Sequence, residues 1–95
     1  MKNATNTDDI LADRGSRYGL FKDHAEITQQ LKNLIYTHAN KTGKTFAPDQ
    51  AEALDMICHK IGRIVNGDPN YYDSWADIAG YAKLVSDRLE TGKVV

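Results

Sequence analysis

Apolar positions along the chain recur at helical spacing and are separated by short polar breaks marked by glycine and proline. Thr7 reads as a helix cap with Asp8 and Asp9 in the first turn, Ile10 and Leu11 add an apolar edge, and Gly15 closes a short first helix. Arg14 to Gly19 is expected as a loop. A long second helix is expected from Phe21 to Ala39, burying Ile27, Leu31, Leu34, Ile35 and His38 on one face. Residues 40–45 form a polar turn. Its Gly43-Lys44-Thr45 triplet is not a phosphate-binding loop, because the upstream glycine is missing and no strand precedes it. Pro48 then opens a third helix, whose apolar stripe is Ala51, Leu54, Ile57, Cys58, Ile61, Ile64 and Val65. Glu52, Asp55, His59 and Arg63 fall on the opposite, solvent side, with Lys60 beside them. Asn66-Gly67 ends this helix, Asp68 caps the next one and Pro69 starts it. So short a junction predicts an antiparallel helical hairpin, about 48–66 and 69–90.

The fourth helix carries two stripes. Tyr71, Trp75, Ile78, Ala82, Val85 and Leu89 form one; Asp73, Asp77, Gly80 and Leu84 form the other, with Tyr81 between them toward the first. A helix apolar on two faces is buried on both, inside a bundle or across a subunit interface. Glycine within a helix costs up to ~1 kcal/mol against alanine, so Gly80 predicts a close approach by another helix or by a ligand. Asp77 beside it is expected to be buried and paired with Lys60 or Arg63 across the hairpin. The fold class is therefore all-α. It is a small helical bundle of one short and three longer helices, one domain over 7–90, between a flexible N-terminus (1–6) and a C-terminal tail (91–95).

Composition narrows the reading. A chain of 95 residues makes one domain, and one this small buries only about 60–65% of its unfolded surface. A homo-oligomer is the expected remedy. Twelve basic against thirteen acidic residues argue against a nucleic-acid backbone as partner. Cys58 is the single cysteine, which rules out an intrachain disulfide, suits a reducing compartment and places a small hydrophobe on the apolar stripe. Met1 to Thr7 has no apolar run, and no stretch reaches the ~20 apolar residues of a membrane span. The expectation is a soluble, cytoplasmic protein.

Candidate chemistry gathers on the hairpin and the segment before it. Glu52 and Asp55 on the third helix and Asp73 and Asp77 on the fourth form an oxygen-rich set that suits magnesium, with His59 alongside. Arg14, Arg17, Lys60 and Arg63 can hold phosphates. Tyr18 or Tyr72 can stack on a base, and His24 faces the site from the start of the second helix. Such a site suits hydrolysis of a nucleoside triphosphate, the metal polarising the phosphoryl group and activating water. The plainer account treats Asp55–His59 and His59–Arg63 as solvated i, i+4 neighbours. It leaves Lys60, Arg63, Asp73 and Asp77 as a structural polar seam.

Arg17-Tyr18-Gly19 followed by His24, then Lys60-Ile61-Gly62-Arg63, then Asp73-Ser74-Trp75-Ala76-Asp77-Ile78-Ala79-Gly80-Tyr81 resembles a group of small phage and prophage proteins over most of residues 10–89. These are similar to nucleotide-modification-associated MazG-like domains, within the all-α nucleoside triphosphate pyrophosphohydrolases. The resemblance implies a helical, oligomeric, magnesium-dependent protein in the cytoplasm of an infected bacterial host. It puts Asp77 at the aspartate of that family's Glu-x-x-Asp metal motif. Ser74 stands where the motif has its glutamate, Asp73 lies one position further off, and the family's Glu-Glu-x-x-Glu helix has no clean counterpart. Three readings stay open: a pyrophosphohydrolase using Asp77 and Asp73, a non-catalytic protein that sequesters a host signalling nucleotide against defence, and an oligomeric interaction protein with no small ligand.

Overall fold

A computed structural model describes residues 6–92 of the chain. It contains four helices, α1 (Thr7–Tyr18), α2 (Phe21–Lys41), α3 (Pro48–Asn66) and α4 (Tyr72–Thr91). The predicted all-α bundle is what the chain forms. The expected terminal segments lie outside the described residues except at their inner ends, where Asn6 caps α1 and Gly92 closes α4 in the left-handed conformation.

Several boundaries differ from the pattern-based expectation, each for a local reason. Asn6 takes the capping role expected of Thr7: its side-chain oxygen accepts from the Asp9 amide at 2.9 Å. Gly15 does not end α1, and the expected loop from Arg14 to Gly19 is helical through Tyr18. The cost of one glycine is small beside the tertiary contacts that hold Arg17 and Tyr18 in place. Asp68 does not cap α4. It closes a turn, accepting from the Asn70 amide through its side chain and from the Tyr71 amide through its carbonyl. The Trp75 indole donates back to the Pro69 carbonyl at 2.8 Å, and α4 starts only at Tyr72.

α3 is the central element, with α2 against one side and α4 against another. Asp49 at its start pairs with Arg88 near the end of α4, and Lys60 near its end pairs with Asp77 near the start of α4. The hairpin is therefore antiparallel. On the other side, the Tyr36 hydroxyl donates to Asp55 at 2.8 Å and to the Ala51 carbonyl, and His24 meets His59. Asp55 and His59 thus face α2 rather than solvent. The buried face of α3 is turned about one residue from the apolar stripe, leaving Ile61 and Val65 exposed. α2 turns likewise: His24, Thr28 and Ala39 are buried, while Leu34 and His38 are exposed.

The interior is small and mixed. The buried apolar residues are Ala39, Ala53 and Cys58; the buried polar ones are His24, Thr28, Lys60 and Ser74. Burial pushes the Cys58 thiol pKa up, which suits the packing role expected of it and not a nucleophile. Among the described residues, no helix is long and apolar enough to cross a membrane.

The close approach expected at Gly80 occurs at Gly62 instead. A β-carbon at Gly62 would lie 2.7 Å from Thr28 Oγ1 and 2.9 Å from the His24 ring, whereas one at Gly80 meets nothing within 4 Å. Neither Thr28 nor the His24 ring is the loose end of a long side chain, so the helices would have to part. Gly62→Ala is expected to destabilise by about 1–3 kcal/mol through overpacking. Gly80→Ala is expected to be neutral or to stabilise by up to ~1 kcal/mol. Urea unfolding of the two variants beside the parent chain checks the contrast.

Candidate functional site

A cluster of arginines and tyrosines sits where α1 ends and α3 ends, and backbone contacts place it there. The Asn66 side-chain amide donates to the carbonyls of Tyr18 (2.8 Å) and Leu20 (3.0 Å), and the Asp68 amide donates to the Arg17 carbonyl at 2.6 Å. Gly19, at φ 78°, lies against Asn66, and Gly67 lies against the backbone of Arg17 and Tyr18. A β-carbon at either glycine would overlap backbone atoms, so both positions need the bare chain.

Four side chains stack outward from this junction. The Arg63 guanidinium lies over the Tyr18 ring, 4.1 Å from its centroid. Tyr18 meets Tyr71 edge-on at 6.0 Å, and Arg17 lies over Tyr71 at 5.1 Å while donating to its hydroxyl at 3.1 Å. The Tyr71 hydroxyl in turn donates to Asp73 at 3.0 Å, and that bond is the main cause of its raised pKa. Beside the stack is a groove of about 480 Å³ lined by Arg14, Arg17, Tyr18 and Arg63, with Asp9 and Asp13 on its acidic edge. Arg17 and Asp13 approach only to 3.9 Å. Arg14 has no hydrogen-bond or ion-pair partner among the described residues.

Of the expected ligand residues, Arg14, Arg17, Tyr18 and Arg63 come together. The others do not join them. His24 and His59 form a separate pair between α2 and α3. Lys60 turns to Asp77 on the α4 side, and Tyr72 is exposed at the start of α4. Tyr18 has one face already covered by Arg63, so it is not a free platform for a base. Tyr71 was placed on an apolar stripe by its spacing. Its role as the partner of Arg17 depends on the junction geometry, which no local pattern encodes.

The four expected metal carboxylates do not converge. Asp55 accepts from Tyr36, Asp73 from Tyr71, and Asp77 pairs with Lys60, while Glu52 is exposed. Among the described residues, no three His, Cys, Asp or Glu side chains group as metal ligands. Burial, together with the hydrogen bond to Asp55, pushes the Tyr36 pKa up to about 12, so this hydroxyl stays protonated as a donor. Asp77 was expected to be the buried partner of the seam. The structure reverses the roles: the Lys60 side chain is 11% exposed and that of Asp77 46%.

His24 Nε2 and His59 Nδ1 lie 3.2 Å apart, with the rings at 83°. One nitrogen must carry the proton and the other the lone pair, so at most one of the two rings can be charged while the contact holds. Either tautomer leaves the buried His24 Nδ1 facing the Gly62 backbone without a hydrogen bond of ordinary geometry. Burial, chiefly, lowers both pKa values, with Arg63 contributing, and that of His59 falls to about 4.

Two outcomes follow from these pairs. The unfolded His59 imidazole takes up a proton near pH ~6.5 and the folded one resists until about pH 4, with His24 shifted in the same direction, so the unfolded state binds more protons in between. Stability is therefore complete above pH ~6.5 and falls as pH drops toward 4, by an order of 2 kcal/mol. His59→Gln is expected to flatten that slope in chemical denaturation at stepped pH. Removing Asp77 strands the buried Lys60 ammonium. Asp77→Ala is expected to cost about 1–2 kcal/mol, modest because the carboxylate is half exposed. Adding Lys60→Met to it should recover most of that loss.

Residues 1–89 match the family described as Domain of unknown function (DUF6378). Comparison with curated proteins and with solved structures finds no match. The arginine–tyrosine junction, the histidine pair and the Lys60–Asp77 seam all fall within the matched span, and the chain belongs to the DUF6378 family.

Proposed function

We propose that the groove between α1 and α3 binds a phosphorylated, ring-bearing small molecule of the nucleotide class and holds it without hydrolysis. The observation that carries this reading is the convergence of Arg14, Arg17 and Arg63 beside Tyr18 on one groove. A guanidinium presents paired donors that match phosphate oxygens, and three of them suit more than one phosphate. Arg14 is the anchor, since it has no partner among the described residues. Arg63 lies over the Tyr18 ring and lines the same groove, where its guanidinium offers a planar cation to a base. Asp9 and Asp13 set a condition: the ligand must carry enough charge to outcompete them for Arg17.

Retention rather than hydrolysis rests on the carboxylates. Asp73 and Asp77, the catalytic candidates, are engaged with Tyr71 and Lys60, away from Asp55 and Glu52. This favours the sequestering version of the MazG-like reading, with a host signalling nucleotide as ligand, over a magnesium-dependent pyrophosphohydrolase.

The test is a thermal-shift panel of nucleoside mono- and triphosphates and cyclic dinucleotides, with and without magnesium, followed by denaturation and recovery of the ligand. The expected result is a rise in Tm with at least one nucleotide, recovered unchanged. Arg14→Ala and Arg63→Ala should each weaken binding about 10-fold or more, as loss of a charge-assisted bond to phosphate requires. Recovery of a cleaved nucleotide in magnesium would favour the hydrolase. No shift with any nucleotide overturns the reading.

A further inference from the structure

α4 presents two apolar faces, and the chain buries one of them. Ser74, Ile78, Tyr81, Val85 and Arg88 form the inner face, buried or half-buried in the hairpin. One residue further round, Tyr72, Trp75, Ala79, Ala82, Ser86 and Leu89 repeat the same alternation of three and four, and every one of them is exposed. Tyr72, Trp75 and Leu89 each leave more than half of their surface in solvent. The sequence stripe through Tyr71, Trp75, Ile78, Ala82, Val85 and Leu89 thus divides. Tyr71, Ile78 and Val85 go inward, while Trp75, Ala82 and Leu89 stay out.

The surface area of the chain says independently that something is uncovered. It exposes 6996 Å²; a compact protein of its 10.6 kDa mass exposes about 5,500 Å². The excess is about 1,500 Å², and setting residues 1–5 and 93–95 aside at the area of a fully extended chain still leaves about 600 Å². A stable two-protein interface removes about 800 Å² from each partner.

We propose that the outer face of α4 seats a second copy of this chain, the two α4 helices running antiparallel about a two-fold axis between Gly80 and Tyr81. The register follows from the spacing. Each chain's Ala79 meets Ala82 of the other copy, each Trp75 meets Ser86, and each Tyr72 meets Leu89. Small residues at the centre let the helix axes approach closely, and the indole fills the space left by a serine. A two-fold interface needs one self-complementary patch, and this seam is one. The faces on either side are less suited: one is already used within the hairpin, and the other carries Lys83, Asp87 and Glu90.

Sedimentation of the full chain over a range of concentrations tests the proposal. The parent is expected at twice the mass of the single chain at tens of micromolar. Ala82→Glu sets a carboxylate near the axis, where the two copies would desolvate both charges, and should raise the dimer Kd about 100-fold or more. Residue 82 is exposed in the single chain, so helix content measured by circular dichroism should not change. Ala79→Lys is the second variant, with the same expectation should Ala82→Glu misfold. Leu84→Glu, on the far side of the helix from the seam, should leave the dimer intact. A parent that stays monomeric to ~100 µM overturns the proposal, and so does a dimer that survives both seam variants.

Discussion

The arginine–tyrosine groove depends on a contact between two stretches of bare backbone. Gly19 and Gly67 let the end of α1 and the end of α3 touch without side chains between them, and the Asn66 amide fastens the pair by donating to carbonyls on both sides of Gly19. Nothing else holds α1 so firmly, for the helix has no buried residue of its own. The contact also settles where charge goes. Arg17 is aimed at Tyr71, Tyr18 is aimed under Arg63, and Arg14, one turn back, lines the groove with them. Three guanidiniums converge, two from α1 and one from α3, and aromatic rings lie against two of them, a contact worth about 0.5–1 kcal/mol each at exposed sites.

A second close approach works by different means. At Gly62 the α2 and α3 helices come near enough for His24 and Thr28 to fill the space a side chain would take. The interior that results is polar where most small bundles are apolar. Two histidines share a proton, a threonine bonds back to its own helix, and a lysine nearly sealed from water reaches a half-exposed aspartate. Such groups contribute little net stability, because desolvation offsets most of what their bonds return. They do impose register. Sliding α2 along α3 by one turn would part the histidines and strand their nitrogens. Lys60 and Asp77, with Asp49 and Arg88 near the other end, fix α4 in the same way.

The elements legible in the sequence were those with punctuation of their own. Pro48 and Asn66-Gly67 bracket α3, Gly92 closes α4, and opposite charges at Lys60 and Asp77 named a pair that the structure contains. What stayed illegible depends on which side of a helix another helix covers. Periodicity reports a stripe, but α3 has two neighbours, and the boundary between them falls on Asp55, His59 and Lys60, which polarity alone assigns to solvent. Gly62 and Gly80 look alike in the sequence. Only the presence of His24 and Thr28 four residues apart on α2 distinguishes the one that needs to be glycine. The arginine and tyrosine of α1 were read as a loop because Gly15 and Ser16 argue locally against helix. A cost of that size, about 1 kcal/mol, gives way to the docking of Tyr18 and the backbone bond from the Asp68 amide to the Arg17 carbonyl.

The same reasoning explains why apolar surface is left on the outside. With polar groups occupying the α2–α3 contact, the side chains that are both large and apolar have few places to go. Leu20, Phe21, Val65, Tyr72, Trp75 and Leu89 all remain mostly in solvent. A single chain of this length is already near the limit at which burial offsets the entropy of folding. Spending interior positions on histidine, threonine and lysine moves it closer to that limit. A fold that keeps a polar interior for register leaves large apolar side chains outside, and along α4 they fall in a regular stripe. The polar core and the outward stripe are two sides of one constraint.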